Sequence, residues 1–281
     1  MPEIGIVYVA FGASYIEEAI EASRATRIFN PGVPICLISD SMIEYPEFDL
    51  HIHAARHEPV IRGKLEMFSS PFQKTLFLDT DTEVFAPLGE VFELLDRFDI
   101  VFQQDSSGYH YKLDGVPHAF PEPSTGVIGF RKSAAINEFA RLWADYFDRY
   151  VAEMGREWDQ RSFRHAIYVS NLRFAILPPE YNFLIYFPQY AMGDLKVIHG
   201  RPRSKRAAVK RLMDRTLGPR VHAPRFGCVG FYSQMRLTSI AMLIASASGV
   251  LLVECAKRAT KKLGIYPWAQ NIYGVLRTRA N

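Results

Sequence analysis

Apolar and polar positions follow two rhythms along this chain. Short apolar runs rich in β-branched residues, at Ile4–Ala10, 34–39, Lys74–Leu78 and Ile100–Gln104, read as buried strands. Helical spacing fills 14–29, 88–96, 133–154 and 159–168, and a shorter helix covers 62–70 until Pro71 closes it. Ser14, with Glu17 three residues on, has the form of a capping box, and Pro31-Gly32 is the stop. Further strands are expected at 126–131, Phe174–Leu177 and 195–199. Strands alternating with helices predict an α/β fold, a mostly parallel mixed sheet with helices on its faces. Ligands of such sheets sit at the carboxyl ends of strands, here Ala10-Phe11-Gly12, Ser39-Asp40, Asp79-Thr80-Asp81 and His199.

Composition narrows the class. Of 281 residues, 48% are hydrophobic and 22% charged, enough for a sizeable core and unlike a disordered, collagenous or coiled-coil chain. Three scattered cysteines form no disulfide framework or zinc motif and fit a reducing compartment. The N-terminus carries no signal-peptide pattern, so a cytoplasmic location is expected. Net charge is only +3, but it is unevenly spread: 201–225 is strongly basic, with Asp214 its lone acid, and 237–253 is uncharged. The chain therefore divides on paper into a catalytic domain over 1–200 and a basic, helical C-terminal extension over 201–281. The basic run has no interleaved aromatics before Phe226, which argues against nucleic acid. Together with 237–253, the 201–262 region suits an anionic membrane surface on the inner face, a homodimer seam or a core helix.

The chemistry concentrates at Thr75-Leu76-Phe77-Leu78-Asp79-Thr80-Asp81-Thr82. An apolar strand delivers two carboxylates, one residue apart, into a turn. On such a turn the two carboxylates can share a hard divalent cation, which clamps a diphosphate and takes up its leaving charge. A solvated turn is the plain alternative. His51 and His53 alternate on a short stretch with no third ligand nearby and read as structural.

Two known settings hold D-x-D after a strand. In haloacid-dehalogenase-type phosphatases the first Asp is the nucleophile, on the first strand, with Thr or Val four residues later; here that position is Glu83 and earlier strands precede. In nucleotide-sugar glycosyltransferases of GT-A type the motif follows a nucleotide-binding half-domain, as here. Lys64-Leu65-Glu66-Met67-Phe68, the strand and D-x-D-Thr, Ser124-Thr125-Gly126-Val127, Asp159-Gln160, Leu177-Pro178-Pro179-Glu180-Tyr181-Asn182 and His199 occur in an order that resembles glycosyltransferase family eight, the glycogenin and lipopolysaccharide galactosyltransferase group. Departures are Ser124 for the family's Asn, Arg161 after Asp159-Gln160, and Pro202 where a Gly is usual after the histidine.

The resemblance implies a GT-A fold and transfer of a hexose, with retention, from a UDP- or GDP-linked sugar to a saccharide or lipid-linked acceptor. It implies Mn2+ or Mg2+ held by Asp79, Asp81 and His199. Donor contacts would come from Ala10, Phe11, Tyr15, Lys64, Asp79, Thr80, Asp105, Ser124 and Gly126, with Lys205 offsetting phosphate charge. Asp159 and Gln160 would lie beside the anomeric carbon. Tyr15 could instead be a core aromatic, Asp159 a residue favoured at a helix start, and His199 an ordinary strand-end histidine. The rival functions are a metal-dependent phosphohydrolase using Asp79 and a non-catalytic nucleotide-binding or membrane-interaction protein.

Overall fold

The first strand ends where Gly12 adopts a positive φ of 89° and turns the chain straight into a helix. In the computed structural model, which describes residues 2–105, 112–155, 158–215, 218–224 and 227–230, β1 (Ile4–Ala10) is followed by α1 (Ala13–Phe29), β2 (Ile35–Ser39) and β3 (Leu50–His53). After a 3-10 helix (Val60–Ser69) come β4 (Lys74–Leu78), β5 (Thr82–Val84), α2 (Gly89–Leu94), β6 (Ile100–Gln104) and β7 (Pro123–Arg131). Then follow α3 (Ala134–Met154), α4 (Asp159–Val169), β8 (Phe174–Leu177), β9 (Phe183–Leu184), β10 (Gln189–Ala191) and β11 (Val197–His199). Last are α5 (Arg203–Met213), β12 (Arg220–Ala223) and β13 (Gly227–Gly230).

The central sheet has the order β3-β2-β1-β4-β7-β6-β8. β3, β2, β1 and β4 run parallel, β7 runs antiparallel between β4 and β6, and β8 returns parallel to β6. The mostly parallel mixed sheet is therefore present. Its residues alternate between two cores. Ile6, Tyr8, Leu76 and Leu78 pack with Ile16, Ala19 and Ala22 of α1, whereas Phe77, Phe102, Ile128 and Phe130 pack with Phe139, Trp143, Phe163 and Ile167 of α3 and α4. Each such side chain contributes roughly 1.5–3 kcal/mol on burial, which fixes the sheet's register and the strand ends that carry the site. Trp143 also donates its Nε1–H to the Asp159 carbonyl at 3.3 Å, tying the start of α4 to α3.

Several local expectations shift. Gly12 caps α1 without a side-chain bond, so the Ser14–Glu17 capping box does not form; the Gly12 N–H goes to Asp40 Oδ1 at 2.9 Å instead. The segment after Pro59 is 3-10 rather than α-helical. β3 carries both alternating histidines, and His51 Nε2 accepts the Tyr45 N–H at 2.9 Å, a structural role.

The boundary expected near residue 200 falls inside one compact unit spanning Met1–Cys228; the second unit, Val229–Asn281, lies almost wholly outside the described residues, and with it 237–253. Much of the basic run is spent internally. Arg203 pairs with Glu21 at 2.8 Å, buried Arg206 with Glu83 at 3.2 Å, and Lys210 with Asp214 at 2.6 Å. Arg220 is buried and donates to the carbonyls of Met192, Gly193 and Gly218. Among the described residues no helix is long and apolar enough to cross a membrane.

Candidate active site

The apolar end of β4, Leu76, Phe77 and Leu78, leads into Asp79, whose N–H donates to the Gly126 carbonyl on neighbouring β7 at 2.9 Å. The Asp79 carbonyl then accepts both the N–H and the hydroxyl of Thr82, at 3.1 and 2.7 Å. This turn takes Asp79 and Asp81 out of the strand pleat. β5 leaves the turn and pairs antiparallel with β11, in a register that sets His199 opposite Thr82. The Asp81 carbonyl is fastened to the other side by the Gly200 N–H and Arg206 Nη1, at 2.9 and 2.7 Å. A small three-stranded sheet, β5-β11-β9, thus brings together His199 and Asp81, 118 positions apart in sequence.

His199 Nε2 lies 3.0 Å from Asp81 Oδ1 and 3.8 Å from Asp79 Oδ2, and one ligand atom from each of the three lies within 4.8 Å of the others. Two donors at about 2.1 Å from a Mg2+-sized ion stand no more than about 4.2 Å apart, so the histidine-to-carboxylate spacings suit one small cation. Two carboxylate oxygens and an imidazole also match the ligand preferences of Mn2+ and Mg2+ sites, the histidine favouring manganese. Among the described residues this is the one cluster of its kind.

The imidazole is oriented from behind. His199 Nδ1 donates to Asn182 Oδ1 at 2.9 Å, and Asn182 Nδ2 donates to Ser124 Oγ at 2.7 Å, which fixes both the amide and the tautomer. Nε2 is left to face the carboxylates. Asn182 is fully buried, so the relay has no water to replace it. Asn182→Ala is expected to weaken manganese binding about 10–100-fold, the usual range for a residue that orients a metal ligand. Calorimetric titration of the variant checks this; an unchanged isotherm contradicts the relay.

A second cluster adjoins the first. Lys64 donates from Nζ to Asp79 Oδ2 at 2.9 Å and lies 2.8 Å from Asp159 Oδ2, which also accepts from Thr125 Oγ1 at 2.8 Å. Burial pulls the Lys64 ammonium down, but Asp159 and Asp79 outweigh it and hold it above the ordinary lysine range. Burial would raise Asp159, yet Lys64 and Thr125 hold its carboxyl below the usual range. Asp79 is pushed up, chiefly by burial, against the pull of Lys64 and His199. Burial also opposes ionisation of Asp81, but His199 and Arg201 hold it well below the carboxylate range. His199 is raised: burial lowers it, and the Asp81 and Asp79 carboxylates more than reverse this. The pairings thus favour the charged forms of Lys64, Asp159, Asp81 and His199, whereas burial favours the neutral form of Asp79.

These groups line a cleft of about 480 Å3 at the carboxyl ends of the parallel strands. Phe11, Tyr15, Lys64, Asp79, Thr80, Asp81, Asp105, Ser124, Gly126, Asp159, Gln160 and His199 all line it, so the residues chosen for their order along the chain do converge. Tyr15 is 43% exposed rather than a core aromatic. Gln160 donates its Nε2 to Asp105 Oδ2 at 2.6 Å and to the Pro123 carbonyl at 3.2 Å, which leaves Oε1 as its free acceptor end among the described contacts. Two expected donor contacts fall elsewhere. Ala10 is buried in the core beside α1, and Lys205 is exposed on the first turn of α5, outside the cleft.

Sequence reasoning passed over Thr125, Asn182 and Arg201. Asn182 stood in the Leu177–Asn182 stretch without a role, and Arg201 two residues past the histidine. Arg201 Nη1 lies 3.0 Å from Asp81 Oδ2, its Nε and Nη2 grip Glu18 at 2.6 and 2.7 Å, and Glu18 in turn accepts from Thr80 Oγ1 at 2.7 Å.

No protein-family model and no curated protein matches the chain. Solved structures do. The galactosyltransferase LgtC, determined with donor and acceptor sugar analogues, superposes with a TM-score of 0.52 at 12% identity, over 71% of this chain and 87% of its own. The glycosyltransferase GlyE of Streptococcus pneumoniae TIGR4 superposes with a TM-score of 0.51 at 17% identity, over 65% of this chain and 48% of its own, so the match spans about half of that protein. At such identities the likeness establishes the fold, and the fold is of the GT-A glycosyltransferase type.

Proposed function

We propose that the chain is a metal-dependent glycosyltransferase that moves a hexose from a nucleoside diphosphate sugar, UDP- or GDP-linked, to the hydroxyl of a saccharide or lipid-linked acceptor, with retention of anomeric configuration. The observation that carries this reading is the convergence of Asp79, Asp81 and His199, with ligand atoms within 4.8 Å, in the cleft of a GT-A fold. These three would hold Mn2+ or Mg2+, which when bound neutralises the departing diphosphate.

The chain's own groups do the rest. Lys64 stands between Asp79 and Asp159, so it sets the spacing between the diphosphate end of the cleft and the sugar end. Asp159 stays ionised, because Lys64 and Thr125 stabilise its negative form. Its Oδ2 is already engaged by Lys64 and Thr125, so the carboxylate serves to hold charge beside the sugar rather than to take a proton. That suits it to stabilising an oxocarbenium-like sugar, as does the placement of Gln160, whose Nε2 is held by Asp105 and the Pro123 carbonyl. In this scheme a leaving phosphate oxygen takes the acceptor proton.

Gln160→Ala and Asp159→Asn are expected to lower kcat by about 10²-fold or more while changing the donor KM little, because their interactions grow in the transition state. Steady-state kinetics separates the two; a change confined to KM would make them binding residues. The reading as a whole is tested by incubating purified protein with a panel of UDP- and GDP-sugars, with manganese or with chelator. Turnover of one donor that disappears with chelator is expected. Release of phosphate from simple monoesters instead supports the phosphohydrolase, and binding without turnover the non-catalytic protein.

A further inference from the structure

We infer that Arg201, rather than Lys205, is the cation that receives the leaving diphosphate. The inference rests on the transferase reading and names a residue of the same site. Its first support is placement. One carboxylate, Asp81, touches both the imidazole of the ligand set and the guanidinium: Oδ1 lies 3.0 Å from His199 Nε2 and Oδ2 3.0 Å from Arg201 Nη1. Any diphosphate that reaches the Asp79, Asp81 and His199 cluster therefore arrives against Arg201. Lys205 has no such position, being exposed on α5 and outside the cleft.

The second support is the donor inventory. A guanidinium has five N–H groups in a fixed fork. Glu18 takes one from Nε and one from Nη2, and Nη1 forms an ion pair with Asp81 Oδ2 at 3.0 Å. At least one N–H on each Nη therefore has no hydrogen-bond partner among the described residues. The side chain is half exposed and its guanidinium lies 5.7 Å from the Tyr15 ring, so the fork is held at the rim of the cleft with its spare donors accessible.

The third support is charge balance. Glu18 and Asp81 together neutralise Arg201 and leave a negative surplus. Once Asp81 shares its charge with a cation, its hold on Arg201 weakens and the guanidinium is ready for another anion. A phosphate oxygen is the anion that the site brings there, and arginine binds it with paired, charge-assisted hydrogen bonds. Charge on that oxygen increases as the sugar leaves, so the contact strengthens in the transition state. No atom moves between Arg201 and substrate; its contribution is electrostatic.

The test measures UDP and GDP binding by calorimetry in the presence of manganese, for full-length protein and for Arg201→Ala, Arg201→Lys, Glu18→Gln and Lys205→Ala, alongside manganese titration and thermal melting of each. Arg201→Ala should weaken nucleoside diphosphate binding roughly ten- to hundredfold, the range for one charge-assisted hydrogen bond, with manganese affinity within a few fold of wild type. Arg201→Lys should recover part of the loss. Lys205→Ala should bind as wild type does. Glu18→Gln separates a receiving from a merely structural arginine: it loosens the Arg201 pair yet should keep diphosphate affinity, whereas a structural role predicts the same loss as Arg201→Ala. Wild-type affinity in folded Arg201→Ala, or a loss in Lys205→Ala instead, overturns the inference and leaves the transferase reading standing. Failure of wild-type protein to bind either nucleotide overturns both.

Discussion

Asp79→Asn and Asp81→Asn are each expected to lower sugar transfer by at least about 10²–10³-fold while the protein stays folded. The expectation follows from what each carboxylate touches. Asp81 faces His199 through one oxygen and Arg201 through the other. An asparagine there must point its NH2 at one of two donors, and it offers one fewer anionic ligand to a cation. Asp79 is bonded to Lys64 and lies 3.8 Å from His199; its amide would leave the ammonium with Asp159 alone. Losing a ligand removes stabilisation of the leaving charge, for which roughly 10²–10³ in rate is the range for one lost electrostatic contact. Both side chains are at the mouth of a turn held by backbone bonds, so stability changes little. Rates at saturating donor, with melting curves as a fold check, decide it; near-wild-type rates in both variants would remove the metal from the mechanism.

Gly126→Ala is expected to empty the site through a single methyl group. Gly126 lies in β7, next to Asp79, and its carbonyl takes the Asp79 N–H. A Cβ at this position would fall 2.3 Å from His199 Cε1, 2.4 Å from Nδ1 and 3.3 Å from Asn182 Oδ1. Carbon atoms do not approach so closely, so the imidazole must swing away from Asp81 and break its bond to Asn182. Manganese affinity should fall at least about tenfold, and turnover with it. The strand itself persists, because Val127 and its neighbours keep their pairing with β4. A variant that melts like wild type but titrates manganese poorly is the expected result. An unchanged titration would mean that the ring has room to spare, against the geometry.

How much of this was legible in the sequence depends on the element. The central strands were, because buried parallel strands are continuous apolar runs and their polar ends stand out. Asp79, Asp81 and His199 were found together because a D-x-D after an apolar strand, followed in order by the later segments, resembled a known family. Of the strands that join them, β11 lies within the strand expected at 195–199, whereas β5 and β9, of three and two residues, are too short to show any period. Asn182 and Ser124 meet across 58 residues with no local sign of it. The start of α1 was misread because Ser14 and Glu17 satisfy the capping pattern, while the backbone turn at Gly12 happens two residues earlier. Lys205 entered through the resemblance, which places a lysine six residues after the histidine. In this chain α5 begins at Arg203 and carries Lys205 to solvent, while Arg201 remains on the connecting loop beside Asp81.

The most direct test of the account is a crystal of the protein grown with manganese and UDP or GDP, with anomalous scattering recorded at the manganese edge. The account predicts one strong peak in the cleft, about 2.1–2.2 Å from an oxygen of Asp79, an oxygen of Asp81 and Nε2 of His199, with the diphosphate between the ion and Arg201. A nucleotide bound in the cleft with the peak away from these three side chains, or with no peak at all, would contradict it.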